Sequence, residues 1–214
     1  MIQIAEIMQR ISIQAEHSTQ RFRIEESEEA VSNALYKLYE IKCVERNMKF
    51  EGGNLTKNYC LRVARWLCNP DKKIGLLLRG GVGNGKTTML KAVCHLINFI
   101  LSDEFPTAKY REIYSISAGE LPDIYFTAPE YFSKLKTMQM LAIDEIGCEN
   151  LKQKEFGVNL MIDILQYRYD KQLFTIATSN LSDEDFKERY CDRVDDRMRE
   201  MFDMLLFENQ SFRK

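Results

Sequence analysis

Residues 74–88 read Ile-Gly-Leu-Leu-Leu-Arg-Gly-Gly-Val-Gly-Asn-Gly-Lys-Thr-Thr. The apolar run Ile74–Leu78 has the length of a buried strand, and glycines follow it at once. Gly80 to Thr87 then fits the pattern G-x-x-x-x-G-K-[ST], with a helical stretch opening at Lys86. Glycines let backbone N–H groups close around phosphate oxygens with no Cβ in the way. The start of a helix adds the positive end of its dipole. Gly80, Gly81, Val82, Gly83, Asn84, Gly85, Lys86, Thr87 and Thr88 therefore form the candidate phosphate cradle. Lys86 is expected to reach the β- and γ-phosphates of ATP, and the Thr87 hydroxyl to ligate Mg²⁺. The plain alternative is a glycine turn before a helix, and the flanking strand and helix weigh against it.

Downstream, Leu141-Ala142-Ile143-Asp144-Glu145 is an apolar strand that ends in two carboxylates. In nucleotide chemistry the first acid, Asp144, holds the metal. The second, Glu145, orients or deprotonates the attacking water. A strand ending in acids at solvent is common, so the weight comes from its place after the glycine loop. Further on, Thr178-Ser179-Asn180 follows the apolar run FTIA. A polar residue there could position the lytic water. Equally, Ser182 and Asp185 have the spacing of a helix cap, and Asn180 would then make a turn. Arg193, Arg197 and Arg199 lie in CDRVDDRMRE, which by spacing alone is a solvated helix face of mixed charge.

Around these motifs, short apolar runs alternate with helical ones. Strands are expected at 74–78, 113–116, 138–143, 174–177 and 204–207, and helices near 55–68, from 86, at 129–136 and at 156–169. That alternation predicts an α/β fold, a parallel sheet covered by helices on both faces. Residues 1–50 read as helical, with Val31, Ala34, Leu35, Leu38 and Ile41 as an apolar stripe behind acidic Glu25, Glu26, Glu28 and Glu29. Gly52-Gly53 marks a linker. The division is thus a small helical N-terminal segment, 1–50, for partner docking, and a nucleotide-binding domain, 51–214.

The chain has 214 residues, of which 45% are hydrophobic and 29% charged, enough for one domain with a sizeable core. No stretch approaches the ~18 uncharged apolar residues that cross a bilayer, and the N-terminus lacks a signal-peptide layout. The cytoplasm is the expected location. The six cysteines show no C-x-x-C pair and read as reduced, small hydrophobes. With a net charge of −2, any contact with nucleic acid must come from a local patch.

From about Gly75 to Arg213 the sequence resembles the DnaC/IstB-type branch of AAA+ ATPases, the helicase loaders and transposition helpers. The resemblance rests on GLLLRGGVGNGKTT, ISAGEL, LAIDEIG, YRYDKQLFTIATSNLS, RVDDRM and FENQSFR, in the family's order. It implies a minimal AAA+ domain, with Lys86 and Thr87 as Walker A, Asp144 and Glu145 as Walker B, and Asn180 as sensor 1. It also implies that Arg197 is an arginine finger serving the ATP of a neighbouring subunit. Arg168 matches an arginine of unassigned role. Many relatives carry a second aspartate where Glu145 stands; glutamate is the commoner AAA+ residue.

Too few residues follow Arg197 in this sequence for a lid of several helices, so no lid-borne second sensor is expected. The function so implied is an ATP-hydrolysing DNA replication protein. It would act on a hexameric replicative helicase near single-stranded DNA and assemble as a nucleotide-dependent homo-oligomer, away from membranes. Two rivals stand beside it: an IstB-like transposition helper acting on duplex DNA, and a nucleotide-switched adaptor with little turnover. A metabolite kinase would have no use for Asn180 and Arg197.

Overall fold

The computed structural model describes residue 4 and residues 21–50, 52–103, 112–149, 159–190, 192–209 and 211–212. The helical reading of residues 1–3 and 5–20, residues 156–158 of the helix expected at 156–169, and Cys191 lie outside the described residues. Helix α1, Glu28–Val44, starts where the Ser27 side chain accepts a hydrogen bond from the Ala30 N–H, and Glu28 and Glu29 sit in its first turn. Helix α2, Asn54–Cys68, stops at Asn69, ahead of Pro70. Strand β1, Gly75–Gly80, feeds helix α3, Lys86–Asp103.

Strand β2, Tyr114–Ser117, is followed by a 3₁₀ turn, which Ser117 and Glu120 close with a reciprocal capping box. Helices α4, Leu121–Thr127, and α5, Pro129–Thr137, each take proline in the first turn, where its missing N–H costs nothing. Strand β3, Met140–Ile146, helix α6, Leu160–Asp170, and strand β4, Phe174–Ser179, come next. Helices α7, Asp183–Tyr190, and α8, Asp192–Met201, lead into strand β5, Phe202–Phe207.

The five strands form one parallel sheet in the order β2-β3-β4-β1-β5. On β1, Leu76 and Leu78 face one way and Leu77 the other, as a period of two demands. Leu76 and Leu78 join Leu90, Val93 and Ile97 of α3 and the inner faces of α1 and α2. Leu77 joins Leu141, Ile143, Ala177 and the buried sides of α4 to α8. This is the two-faced α/β layering expected of the sequence.

The described part of residues 1–50 shares the first of these cores. Val31, Leu35, Tyr39 and Cys43 form the buried edge of α1, against α2 and α3. Burying a leucine as Leu35 is buried contributes about 1.5–3 kcal/mol. The stripe read from sequence shifts accordingly: Ile41 is exposed, and Tyr39 and Cys43 take the inner positions because α3 lies on that side. The expected linker packs as well, with the Phe50 ring edge-on to Tyr36 at 5.3 Å.

Arg168 is fully buried at the far end of the sheet from the glycine loop. It donates to the carbonyls of Met138 (2.7 Å), Phe174 (2.6 Å) and Lys136 (3.3 Å) and to Thr175 Oγ1 (2.9 Å). Burial lowers its pKa to about 9, so it stays charged at neutral pH. It clamps the starts of β3 and β4, a structural task that answers the question of its role. Among the described cysteines all are free thiols, and burial pushes Cys60 and Cys94 up to about 12.

Candidate phosphate-loop site

The glycine loop crosses the carboxyl end of β1, in the crevice where open α/β sheets take ligands. Gly80 has φ +144° and Gly85 φ +94°, both strained for any residue with a Cβ. A Cβ on Gly80 would strike the Phe207 carbonyl, and one on Gly85 the Tyr39 hydroxyl. The loop is thus pressed between β5 and α1.

Asn84, 1% exposed, braces it by donating Nδ2–H to Phe207 O at 2.9 Å. The residues after β5 fold back on it: Asn209 Nδ2 donates to Asn84 O at 3.1 Å, and the Phe212 N–H to Gly83 O at 2.9 Å. The Lys86 ammonium donates to the carbonyls of Gly80 and Gly81, both at 2.7 Å, and to Asn84 Oδ1 at 2.9 Å. Its charge therefore lies inside the curve of the loop.

Beside it, Thr87 Oγ1 donates to Asp144 Oδ1 at 3.0 Å. The same carboxylate oxygen accepts from Thr178 Oγ1 at 2.6 Å, and Thr178 Oγ1 in turn accepts from the Glu145 N–H at 2.8 Å. In a regular strand neighbouring side chains point to opposite faces. Here the β3–β4 register slips between Ile143 and Ile146, and Glu145 has φ +60°, a bulge that re-aims its side chain. Glu145 and Asn180 consequently line the same pocket as Val82, Gly83, Asn84, Gly85, Lys86, Thr87 and Thr88. Three further residues line it, Arg46, Met48 and Thr178. Next to it, sharing Met48, Gly85 and Thr88, is a cleft walled by Tyr39, Phe50 and Phe212.

The cap read at Ser182 is present: Asp185 N–H donates to Ser182 Oγ at 3.1 Å and Ser182 Oγ to Asp185 Oδ2 at 2.7 Å. The cap and the place of Asn180 at the pocket coexist. Beneath the bulge, the Glu149 carboxylate accepts from the Gly147 N–H at 2.8 Å and from the Tyr190 hydroxyl, tying the loop after β3 to α7.

Arg197 is not brought to this pocket. It lies in a separate small cleft with Leu165, Val194 and Met198, its guanidinium 5.4 Å from the Tyr169 ring centre. Arg199, itself exposed, pairs with the buried Asp195 at 3.0 Å, so the mixed-charge face that spacing suggested is solvated only in part. The Arg193 side chain lies outside the described residues.

No family profile and no curated protein sequence matches the chain. Solved structures do. The DnaC helicase loader superposes with a TM-score of 0.56 at 20% identity, over 74% of this chain and 93% of that one. The chain has the DnaC-type AAA+ fold. DnaI gives a TM-score of 0.53 at 21% identity, covering 78% of this chain and 89% of its own. AMPPCP-bound DnaA from Aquifex aeolicus gives 0.55 at 18% identity, covering 75% of this chain and 48% of that chain.

Within this AAA+ fold, motif reading missed Thr178, Arg46 and the tail residues Asn209 and Phe212. Thr178 stands in the run Thr178-Ser179-Asn180, where the sequence points to a role only for Asn180. The others had no signal, since each reaches the loop only by tertiary packing.

Proposed function

We propose that this chain binds and hydrolyses ATP and works in DNA replication as a helicase-loader-like protein. One observation carries the hydrolytic part. The bulge at the end of β3 turns Glu145 into the pocket that holds Lys86 and Thr87, while Asp144 is held between two threonine hydroxyls. A protein that needed only to bind nucleotide would have no use for a strained glutamate, and such strain costs about 1–3 kcal/mol.

The donor set fits Mg²⁺. Thr87 Oγ1 and Asp144 Oδ1 are adjacent hard oxygens, and among the described residues no cluster of three or more His, Cys, Asp or Glu side chains is gathered. That is the sparse protein shell of an ion completed by water and phosphate. When bound, Mg²⁺ would neutralise charge on the β- and γ-phosphates. Lys86 would hold those same oxygens, Glu145 would orient and deprotonate the attacking water, and Asn180 would fix the water's position.

The role in replication rests on likeness of fold. DnaC is a helicase loader, and a DnaA structure holds AMPPCP with single-stranded DNA. By that likeness the partner is a replicative helicase, with single-stranded DNA near it. Arg197, remote from its own pocket, suits a homo-oligomer in which each subunit completes the next. The N-terminal segment, residues 1–50, is proposed for partner docking, with its helix α1 also packed against α2 and α3. No helix among the described residues is long and apolar enough to cross a membrane; the cytoplasm is the proposed setting.

Glu145→Gln should bind ATP with near wild-type affinity and lose at least about 100-fold in turnover, because such a group acts mainly in the transition state. Phosphate release measured beside equilibrium binding tests this. Wild-type turnover in Glu145→Gln would remove the hydrolytic assignment, and unchanged nucleotide affinity in Lys86→Ala the site itself.

A further inference from the structure

The phosphate-loop motif does not account for a second cation in the pocket. Helix α1 closes on a tight turn in which Arg46 N–H and Met48 N–H donate to Cys43 O (3.1 and 2.9 Å) and Asn47 N–H to Val44 O (2.9 Å). Asn47 has φ +53°, the left-handed step that reverses the chain. The turn sets Arg46 over the first turn of α3, where Arg46 Nη1 donates to Thr88 Oγ1 at 3.2 Å. Among the described residues, Arg46 and Lys86 are the only cations lining the pocket. The Arg46 charge is also felt by Tyr39 and Cys43, where it opposes the upward push of burial.

Position along the site decides what Arg46 faces. Thr87, tied to Asp144, lines the pocket together with Glu145. Thr88 lies one residue further into α3, and Thr88, Gly85 and Met48 are shared with the cleft walled by Tyr39, Phe50 and Phe212. A nucleotide whose terminal phosphate meets Glu145 would place its sugar and base toward that aromatic cleft. Arg46 then falls between the two, beside the phosphate nearest the sugar. A guanidinium suits the task, being always charged and able to fork onto two oxygens.

We propose that Arg46 clamps the α-phosphate, so that the end of α1 is pinned to ATP and ADP alike. The proposal rests on the nucleotide-site reading above. It differs from a γ-phosphate sensor, which would tell the two nucleotides apart. It also differs from a mere tie between α1 and Thr88, which would leave both affinities unmoved.

Calorimetric titration of the full chain with Mg-ADP and Mg-AMPPCP tests it, for wild type, Arg46→Ala, Arg46→Lys and Lys86→Ala. Losing a charge-assisted contact should weaken both ligands by the same factor, roughly 10- to 100-fold. Arg46→Lys should recover part of the loss. With ATP as substrate, KM should rise while kcat at saturation stays within about threefold, the mark of a contact equal in ground and transition states. If Arg46→Ala does not fold, Arg46→Gln carries the same comparison.

A loss confined to AMPPCP, unchanged affinity for both ligands, or a fall in kcat at constant KM would each overturn the clamp. Failure of the underlying reading looks different: ligand affinity would then be indifferent to Lys86→Ala.

Discussion

Thr178 is the residue through which the two acids are held, and Thr178→Val is the perturbation that tests it. Valine keeps the shape and removes the hydroxyl. Thr178 is 1% exposed, so water cannot readily replace what is lost. Two hydrogen bonds go: the one donated to Asp144 Oδ1 at 2.6 Å and the one accepted from the Glu145 N–H at 2.8 Å. A bond to a charged group is worth about 1.5–3 kcal/mol, and an orphaned buried N–H costs about 1–3 kcal/mol. Asp144 keeps its bond from Thr87. The expected destabilisation is therefore about 2.5–6 kcal/mol. At ~2–4 °C per kcal/mol for a domain of this size, Tm should fall by roughly 5–24 °C.

The effect on chemistry should be separable. Glu145 sits at φ +60°, and the Thr178 hydroxyl is its backbone anchor. Released, it relaxes toward ordinary strand geometry and its carboxylate leaves the pocket. Misplacement by about 1 Å can cost on the order of 100-fold in rate. Below the lowered Tm, Thr178→Val should still bind AMPPCP within about threefold of wild type and turn over about 100-fold more slowly. Thr178→Ser, which keeps the hydroxyl, should recover most of the turnover. Thermal unfolding by circular dichroism, calorimetric binding and phosphate release are the three measurements. The reasoning is refuted if Thr178→Val melts and turns over like wild type, or if Thr178→Ser is as slow as Thr178→Val.

Two more outcomes follow from other parts of the molecule. Lys72 is 2% exposed, donates to Leu67 O at 2.7 Å and lies 4.6 Å from the Trp66 ring centre; burial lowers its pKa to about 7. Between that value and the ~10.4 of an unfolded lysine the unfolded chain holds more protons, so stability should rise with pH above 7, by at most ~1.4 kcal/mol per unit. Urea titrations from pH 6 to 8.5 should show that rise in wild type and a flatter profile in Lys72→Met; parallel profiles would contradict it. For Arg197, remote from its own pocket, Arg197→Ala should bind ATP normally and lose about 10³–10⁵ in turnover. Mixing it with Lys86→Ala should restore part of the activity, since one subunit brings an intact loop and the other an intact arginine. A mixture that stays dead where wild type assembles would return Arg197 to the role of a surface residue stacked on Tyr169.

The parts of the fold that were legible in the sequence are those whose determinants are local. The glycine loop is legible because Gly80, Gly83 and Gly85 take positive φ, which glycine adopts without strain. Leu76, Leu77 and Leu78, three apolar residues in succession, mark a strand buried on both faces, and both faces are indeed covered. Strand ends were less legible. The run at 138–143 stops where apolar residues stop, whereas β3 continues to Ile146 through both acids. Pairing of Asp144 with Ser117 of β2 and of Ile146 with Ser179 of β4 carries it on, and the Asp144 carboxylate accepts from Thr178 and Thr87.

Contacts between distant segments left no trace in composition. Residues 1–50 look separable because Gly52-Gly53 breaks a helical pattern, and glycine marks a turn equally well whether the next element departs or folds back. The deciding contact is Tyr39 against Gly85, which requires that Gly85 have no side chain. From sequence, Gly85 already had a sufficient reason to be glycine in the phosphate loop. A residue that satisfies two constraints at once shows only the one with a local pattern. The same holds for Asn84, whose place in the motif hides its bond to Phe207 O, and for Thr178, whose place in a β-prone run hides its hold on Asp144 and Glu145. Each of the three is a point where the phosphate loop or the acid pair is held by a segment distant in sequence. Substitutions at the outer partner, Tyr39 above all, are therefore the ones whose effect on the pocket no motif would foretell.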